Sequence, residues 1–154
     1  MHTRILRIGL AVDETRAYFA HAGRCSPAER VARAFEERWF GAKSLARVRF
    51  LVATLTERFE PFPGASAALG RWGAVDTATL RVVCHAHAQL TDVLYRKFTG
   101  DFLAARRAMP ESTVDRSVVL RWLRREMPDA WAEATYAQFA TKLLSAAADA
   151  GLVA

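Results

Sequence analysis

A chain of 154 residues that is 52% hydrophobic and 25% charged is long enough to bury a core as one folded unit, and it is not a disordered, collagen-like or mucin-like sequence. The apolar-rich stretch at residues 50–55 is far too short to span a bilayer. No charged leader with an apolar stretch opens the chain, and Cys25 and Cys84 stand far apart outside any CxxC spacing, so a soluble protein of a reducing cytoplasm is expected. The net charge of +6, with 19 of 22 basic residues arginine, is the electrostatic footprint of a domain that meets polyanions, although an arginine-biased composition gives the same count without function.

Nearly every local signal is helical. Ile5 to Val12 is apolar enough for a helix or a strand and is read as helix. Ser26-Pro27-Ala28-Glu29 has the form of a capping box with proline at the first helical position, which predicts a helix from Pro27 to about Phe40. Its core stripe would be Val31, Phe35 and Trp39, with Arg30, Arg33 and Glu37 outside and Gly41 as its end. Ser44 caps the next helix, Leu45 to about Glu60. There Leu45, Val48, Val52, Leu55 and Phe59 would be buried and Arg47, Thr54 and Arg58 would share an outer face. Pro61 and Pro63 stop that helix.

Small residues from Gly64 to Gly73 leave room for a short helix around Leu69, and Asp76 or Thr77 opens a long one running to about Thr91. Gly100 and Asp101 interrupt two shorter pieces, Val93 to Thr99 and Phe102 to Arg107. The segment Met109-Pro110-Glu111-Ser112 divides an N-terminal helical bundle, 1–110, from a C-terminal helical lobe, 111–154, the two packed as one compact unit. The lobe holds a helix from Asp115 to Met127, a break at Pro128, and a last helix from about Thr135 to Asp149 that Gly151 and Leu152 close in a Schellman end. The expected fold is all-α, a compact helical bundle whose C-terminal lobe resembles a helix-turn-helix. A wing in such a pattern would follow Val153, and the sequence given ends at Ala154.

The string Cys84-His85-Ala86-His87 has the look of a metal site. Leu80, Val83, Cys84, His87, Leu90 and Leu94 fall at helical offsets that make one apolar stripe, whereas Arg81, His85 and Asp92 face away. Two residues along a helix is about 200° of rotation, so His85 and His87 cannot clamp one ion. Cys84 and His87 could, but a tetrahedral site needs two more ligands, and His21 and Cys25 are separated by Gly23. His87 is therefore read as a hydrogen-bonded core histidine, and neither a metal nor a cofactor is expected. No GxSxG, P-loop, GxGxxG or HExxH motif is present, and the helical phase puts Cys84 in the core, so neither an enzyme nor a small-molecule substrate is expected.

The basic residues are more informative. Residues 1–60 carry 11 basic against 7 acidic side chains, with Arg30, Arg33, Lys43, Arg47 and Arg49 around the 40–44 turn. Arg96, Lys97, Arg106 and Arg107 form a second group, and Arg121, Arg124 and Arg125 share one helix face where phosphates would relieve their repulsion unless Glu126 or Asp129 does. The last helix turns Thr135, Gln138, Thr141, Lys142 and Ser145 outward, a short polar row suited to a major groove, although residues 112–154 carry no net charge. If these groups reach one face they form a belt for a duplex.

ArgValArgPheLeuVal at 47–52, LeuThrAspValLeuTyrArgLysPhe at 90–98, AspPheLeu at 101–103, ThrValAspArgSerValValLeuArgTrpLeu at 113–123 and LysLeuLeuSerAlaAlaAlaAspAlaGlyLeuVal at 142–153 resemble the BrxA family of bacteriophage exclusion (BREX) systems. The resemblance runs from about Glu36 onward. It implies a small all-helical cytoplasmic protein similar in fold to the antitermination factor NusB, with a tendency to bind double-stranded DNA, no enzymatic activity, and other BREX proteins as partners. Two other readings stand beside it. One is a helical adaptor that docks other defence proteins through an apolar groove, its basic character incidental and its exposed candidates Trp39, Trp72 and Trp131 near helix ends, and the other is RNA binding by analogy to NusB.

Overall fold

Three aspartates and a serine fix where four of the helices begin. Ser44 Oγ accepts from the Arg47 amide at 3.3 Å, Asp76 from the Thr79 amide at 2.9 Å, Asp92 from the Tyr95 amide at 2.9 Å and Asp115 from the Val118 amide at 2.9 Å. The computed structural model describes residues 4–71 and 75–153, with only the backbone of Ser66. In chain order they form α1 (Ile5–Ile8), α2 (Val12–His21), a 3-10 turn (Ala22–Arg24), α3 (Arg30–Glu36), α4 (Leu45–Phe59), α5 (Pro63–Arg71), α6 (Thr77–Thr91), α7 (Val93–Arg96), a π turn (Lys97–Phe102), α8 (Leu103–Arg107), α9 (Arg116–Glu126) and α10 (Glu133–Asp149). The fold is all-α, and no strand occurs among the described residues.

The chain divides into two units, Ala11–His87 and Met1–Leu10 with Ala88–Ala154. In the first, α2, α3 and α5 all pack on α4. Val48, Leu51, Val52, Leu55 and Phe59 are buried with Tyr18, Leu69, Leu80 and Cys84. Because three helices cover α4, its buried arc is wider than one stripe, and two expectations fail. Thr54 and Arg58 lie inside rather than on an outer face, while Leu45 at the helix start is 40% exposed. Thr54 is accommodated because its hydroxyl donates to the Phe50 carbonyl one turn back at 2.8 Å.

The capping box at Ser26 closes only in part. Glu29 accepts from the Ser26 amide and hydroxyl at 2.9 and 2.6 Å, and α3 starts at Arg30, three residues later than Pro27. This shift in phase buries Ala34 and leaves Phe35 43% exposed. Trp39 lies beyond the helix, buried and stacked on His21 at 5.1 Å, where positive φ at Arg38 and Gly41 turns the chain toward α4.

Cys84 and His87 lie in the core as their helical phase requires, while Leu90 is 56% exposed and the stripe stops there, because Asp92 breaks α6 from α7. His87 Nδ1 sits 3.2 Å from the Arg58 carbonyl, with its ring against Phe59 and Phe62. Burial lowers the pKa of His87, and of half-buried His85, below the ordinary 6.5. The unfolded chain therefore takes up protons that the folded one resists, so stability is expected to fall as pH drops below about 6.5. Melting curves from pH 7.5 to 5 should show a shallower loss in His87→Phe than in the parent, and equal slopes would refute a buried neutral imidazole.

In the second unit, α9 and α1 pack on α10. Tyr136, Phe139, Ala140, Leu143 and Ala147 of α10 are buried with Ile5, Leu94, Tyr95, Phe98, Val119 and Leu123, and Leu144 is half-buried. Asp92 was expected to face outward and is 6% exposed, because its second oxygen accepts from the Ile5 amide at 3.2 Å. No break occurs at Gly100–Asp101; the π turn carries the backbone continuously from α7 into α8. Tyr136 fastens the turn between α9 and α10, donating to the Met127 carbonyl and accepting from the Ala130 amide at 3.0 Å. Gly151 at φ +72° and the Leu152 amide bonded to the Ala147 carbonyl at 2.8 Å complete the Schellman end.

Candidate nucleic-acid interface

Each unit carries eleven basic and eight acidic side chains, so the positive excess is shared equally. The five candidates of the Ala11–His87 unit do not behave alike. Arg30 is half-buried and its charge is matched: its guanidinium is paired with the Glu60 carboxylate and donates to the Tyr18 hydroxyl at 2.8 Å. That hydroxyl in turn donates to Glu60 at 2.8 Å and meets Thr56 Oγ1 at 3.0 Å, and burial pushes the Tyr18 pKa up to about 12. Arg33 is matched by Glu37 one turn on, at 2.8 Å, and Glu37 also accepts from Trp39 Nε1 at 2.9 Å. Those two donors, Trp39 first, hold the Glu37 carboxyl below its ordinary range. Arg47 lies over the Phe50 ring at 5.5 Å. Lys43 and Arg49 are exposed and lie within ion-pair distance of no carboxylate among the described residues.

In the second unit the α9 arginines are partly neutralised. Arg124 reaches Glu133 in the first turn of α10 at 2.5 Å, which raises its pKa, and Glu126 lies 3.8 Å from both Arg125 and Lys97. Only Arg121 of the three has no carboxylate within ion-pair distance among the described residues; it reaches Ser117 Oγ at 3.4 Å. Arg96, Arg106 and Arg107 keep their charge uncompensated, because their partners are carbonyls: Gln89 at 3.3 Å, Thr113 at 2.7 Å and Leu152 at 3.0 Å. Gln138 and Lys142 are exposed with Thr141 and Ser145, as the outward row of α10 requires, and Thr135 is half-buried.

Arg106 and Arg125 line one groove of about 290 Å³ between α8 and α9, floored by Trp122 and edged by Asp101 and Glu126. Phe102 stacks on Trp122 at 5.1 Å, and Arg106 Nε is a buried donor with no partner. The groove was not foreseen from sequence, since residues twenty apart converge only through packing. Glu133 as the partner of Arg124 had a visible signal, a carboxylate at the start of the following helix. Trp131 is half-buried and packs on Tyr136 and Phe139 at 5.3 and 4.5 Å, and Trp39 is buried; Trp72 lies outside the described residues.

Among the described residues no three His, Cys, Asp or Glu side chains gather as metal ligands, and no helix is long and apolar enough to cross a membrane. No family model matches the chain, and neither a curated protein nor a solved structure does. Fold and surface together thus define a class: an all-α protein of two helical units, each with the same positive excess.

Proposed function

We propose that the chain is a non-catalytic, sequence-tolerant binder of double-stranded DNA whose exposed cations contact phosphates, in the setting that its resemblance to the BrxA family suggests, a phage-defence system. The observation that carries this reading is the set Arg96, Arg106, Arg107, Arg121 and Lys142, five cations of one unit within ion-pair distance of no carboxylate among the described residues. Uncompensated like charges carried by one small unit repel one another, and a phosphate backbone relieves that repulsion while releasing counterions.

The test is fluorescence anisotropy with a labelled duplex of mixed sequence. If about four cations meet phosphates, affinity falls about 100-fold between roughly 50 and 200 mM salt. Arg121→Glu with Lys142→Glu should weaken binding at least tenfold and leave the melting temperature unchanged, because both side chains are exposed. Glu133→Gln should instead tighten it a few-fold by releasing Arg124. No detectable binding to long duplex at low salt rules the reading out, and stronger binding to RNA in direct competition would replace it with RNA binding.

A further inference from the structure

Between α2 and α5 the Ala11–His87 unit opens a cavity of about 550 Å³, within the range of small-molecule sites. Its walls are apolar, chiefly Phe19, Leu69, Val75 and Leu80, and two guanidinium groups, Arg16 and Arg24, stand at its lining. Among the described lining residues there is no carboxylate. Arg16 is half-buried and its partners are neutral, the Val75 carbonyl at 2.6 Å and the Thr77 hydroxyl at 3.1 Å. A guanidinium drawn out of water beside apolar walls and given only neutral acceptors is an incomplete electrostatic arrangement. Thr15 closes the inner wall, fully buried, with its hydroxyl beside the Cys84 thiol.

A second cavity of about 480 Å³ shares Phe19, Gly23 and Gly70 with the first and reaches Arg30, whose buried Nε lacks a partner. The first cavity thus carries the cationic donors, and the second adjoins it at these residues beside the already neutralised Arg30–Glu60 pair. We propose that this space binds a small amphipathic monoanion, whose carboxylate or similar head lies on Arg16 and Arg24 and whose apolar body, on the order of ten to fifteen heavy atoms, runs past Phe19. A neutral molecule would leave the Arg16 charge unmatched, and a cation would be repelled by it. Arg24 is exposed and its charge is screened by water, so the charge drawn out of solvent is that of Arg16, which one negative charge balances.

The probes are decanoate, decanol and decyltrimethylammonium, titrated below their aggregation limits into the full-length protein by calorimetry and followed by thermal shift. Decanoate should bind with one-to-one stoichiometry and raise the melting temperature. Decanol should bind at least tenfold more weakly, and the cation should give no shift. Arg16→Gln should lose at least tenfold in decanoate affinity and keep its affinity for decanol. Ala20→Phe, at an exposed wall position, should reduce both by filling the space, which keeps the test valid if Arg16→Gln folds poorly. The proposal is overturned if decanoate does not bind stoichiometrically, if decanol binds as well as decanoate, or if Ala20→Phe leaves decanoate affinity unchanged. Duplex binding in the same preparations is read separately.

Discussion

Glu60→Ala is expected to lower the stability of the Ala11–His87 unit by about 3 kcal/mol, at the low end for breaking a buried ion pair. Glu60 accepts from two groups, the Arg30 guanidinium and the Tyr18 hydroxyl, and removing it leaves a guanidinium whose side chain is only 13% exposed without its counter-charge. The Glu60 side chain is 32% exposed, so water restores part of the loss and the upper end of the range is not reached. Arg30→Met with Glu60→Leu should recover most of the stability, because the pair's mutual attraction is offset by the desolvation of both charges. Urea unfolding of the four corners of this cycle gives the coupling directly. A coupling near zero would mean that the triad of Tyr18, Arg30 and Glu60 is a surface arrangement with no energetic weight.

The second large effect is expected at Asp92. Asp92→Ala should cost about 3 kcal/mol, since it removes the cap of α7 and leaves two amides, those of Tyr95 and Ile5, without acceptors at a site where the residue is 6% exposed. Asp92→Asn should recover about half, because the amide oxygen can serve one of the two donors while its NH2 faces the other. Hydrogen exchange supplies a second readout: the Ile5 and Tyr95 amides should lose protection together in the alanine variant. Independent behaviour of the two amides would show that Asp92 is a local cap and does not hold α1.

The elements that the sequence announces are those whose cause is local. Ser44, Asp76 and Asp115 sit at the starts of α4, α6 and α9, Gly151 closes α10, and the apolar spacing of Tyr136, Phe139 and Leu143 marks the buried side of the last helix. Where the cause is tertiary the pattern misleads. Thr54 and Arg58 look like an outer face because one stripe is already apolar, and only the packing of three helices on α4 shows that they are covered. The basic candidates show the same limit. Arg33 and Glu37 can be paired from their four-residue spacing, and Arg124 and Glu133 from a carboxylate opening the next helix, whereas Arg30 with Glu60 is a pairing thirty residues apart that no window reveals. Charge count was therefore legible, and which charges remain exposed and unmatched was not.

The docking of α1 on α10 has a consequence for how the chain acquires its structure. The two partners come from opposite ends of the sequence, and the 77 residues of Ala11–His87 intervene as an insertion within the unit they complete. During synthesis α1 is made well before α10, so although Asp92, which accepts from its Ile5 amide, comes earlier, the packing of α1 on α10 is a late, high-contact-order event. Nascent chains arrested before Glu133 should carry Ile5 exposed to solvent, with the Ala11–His87 unit already able to form.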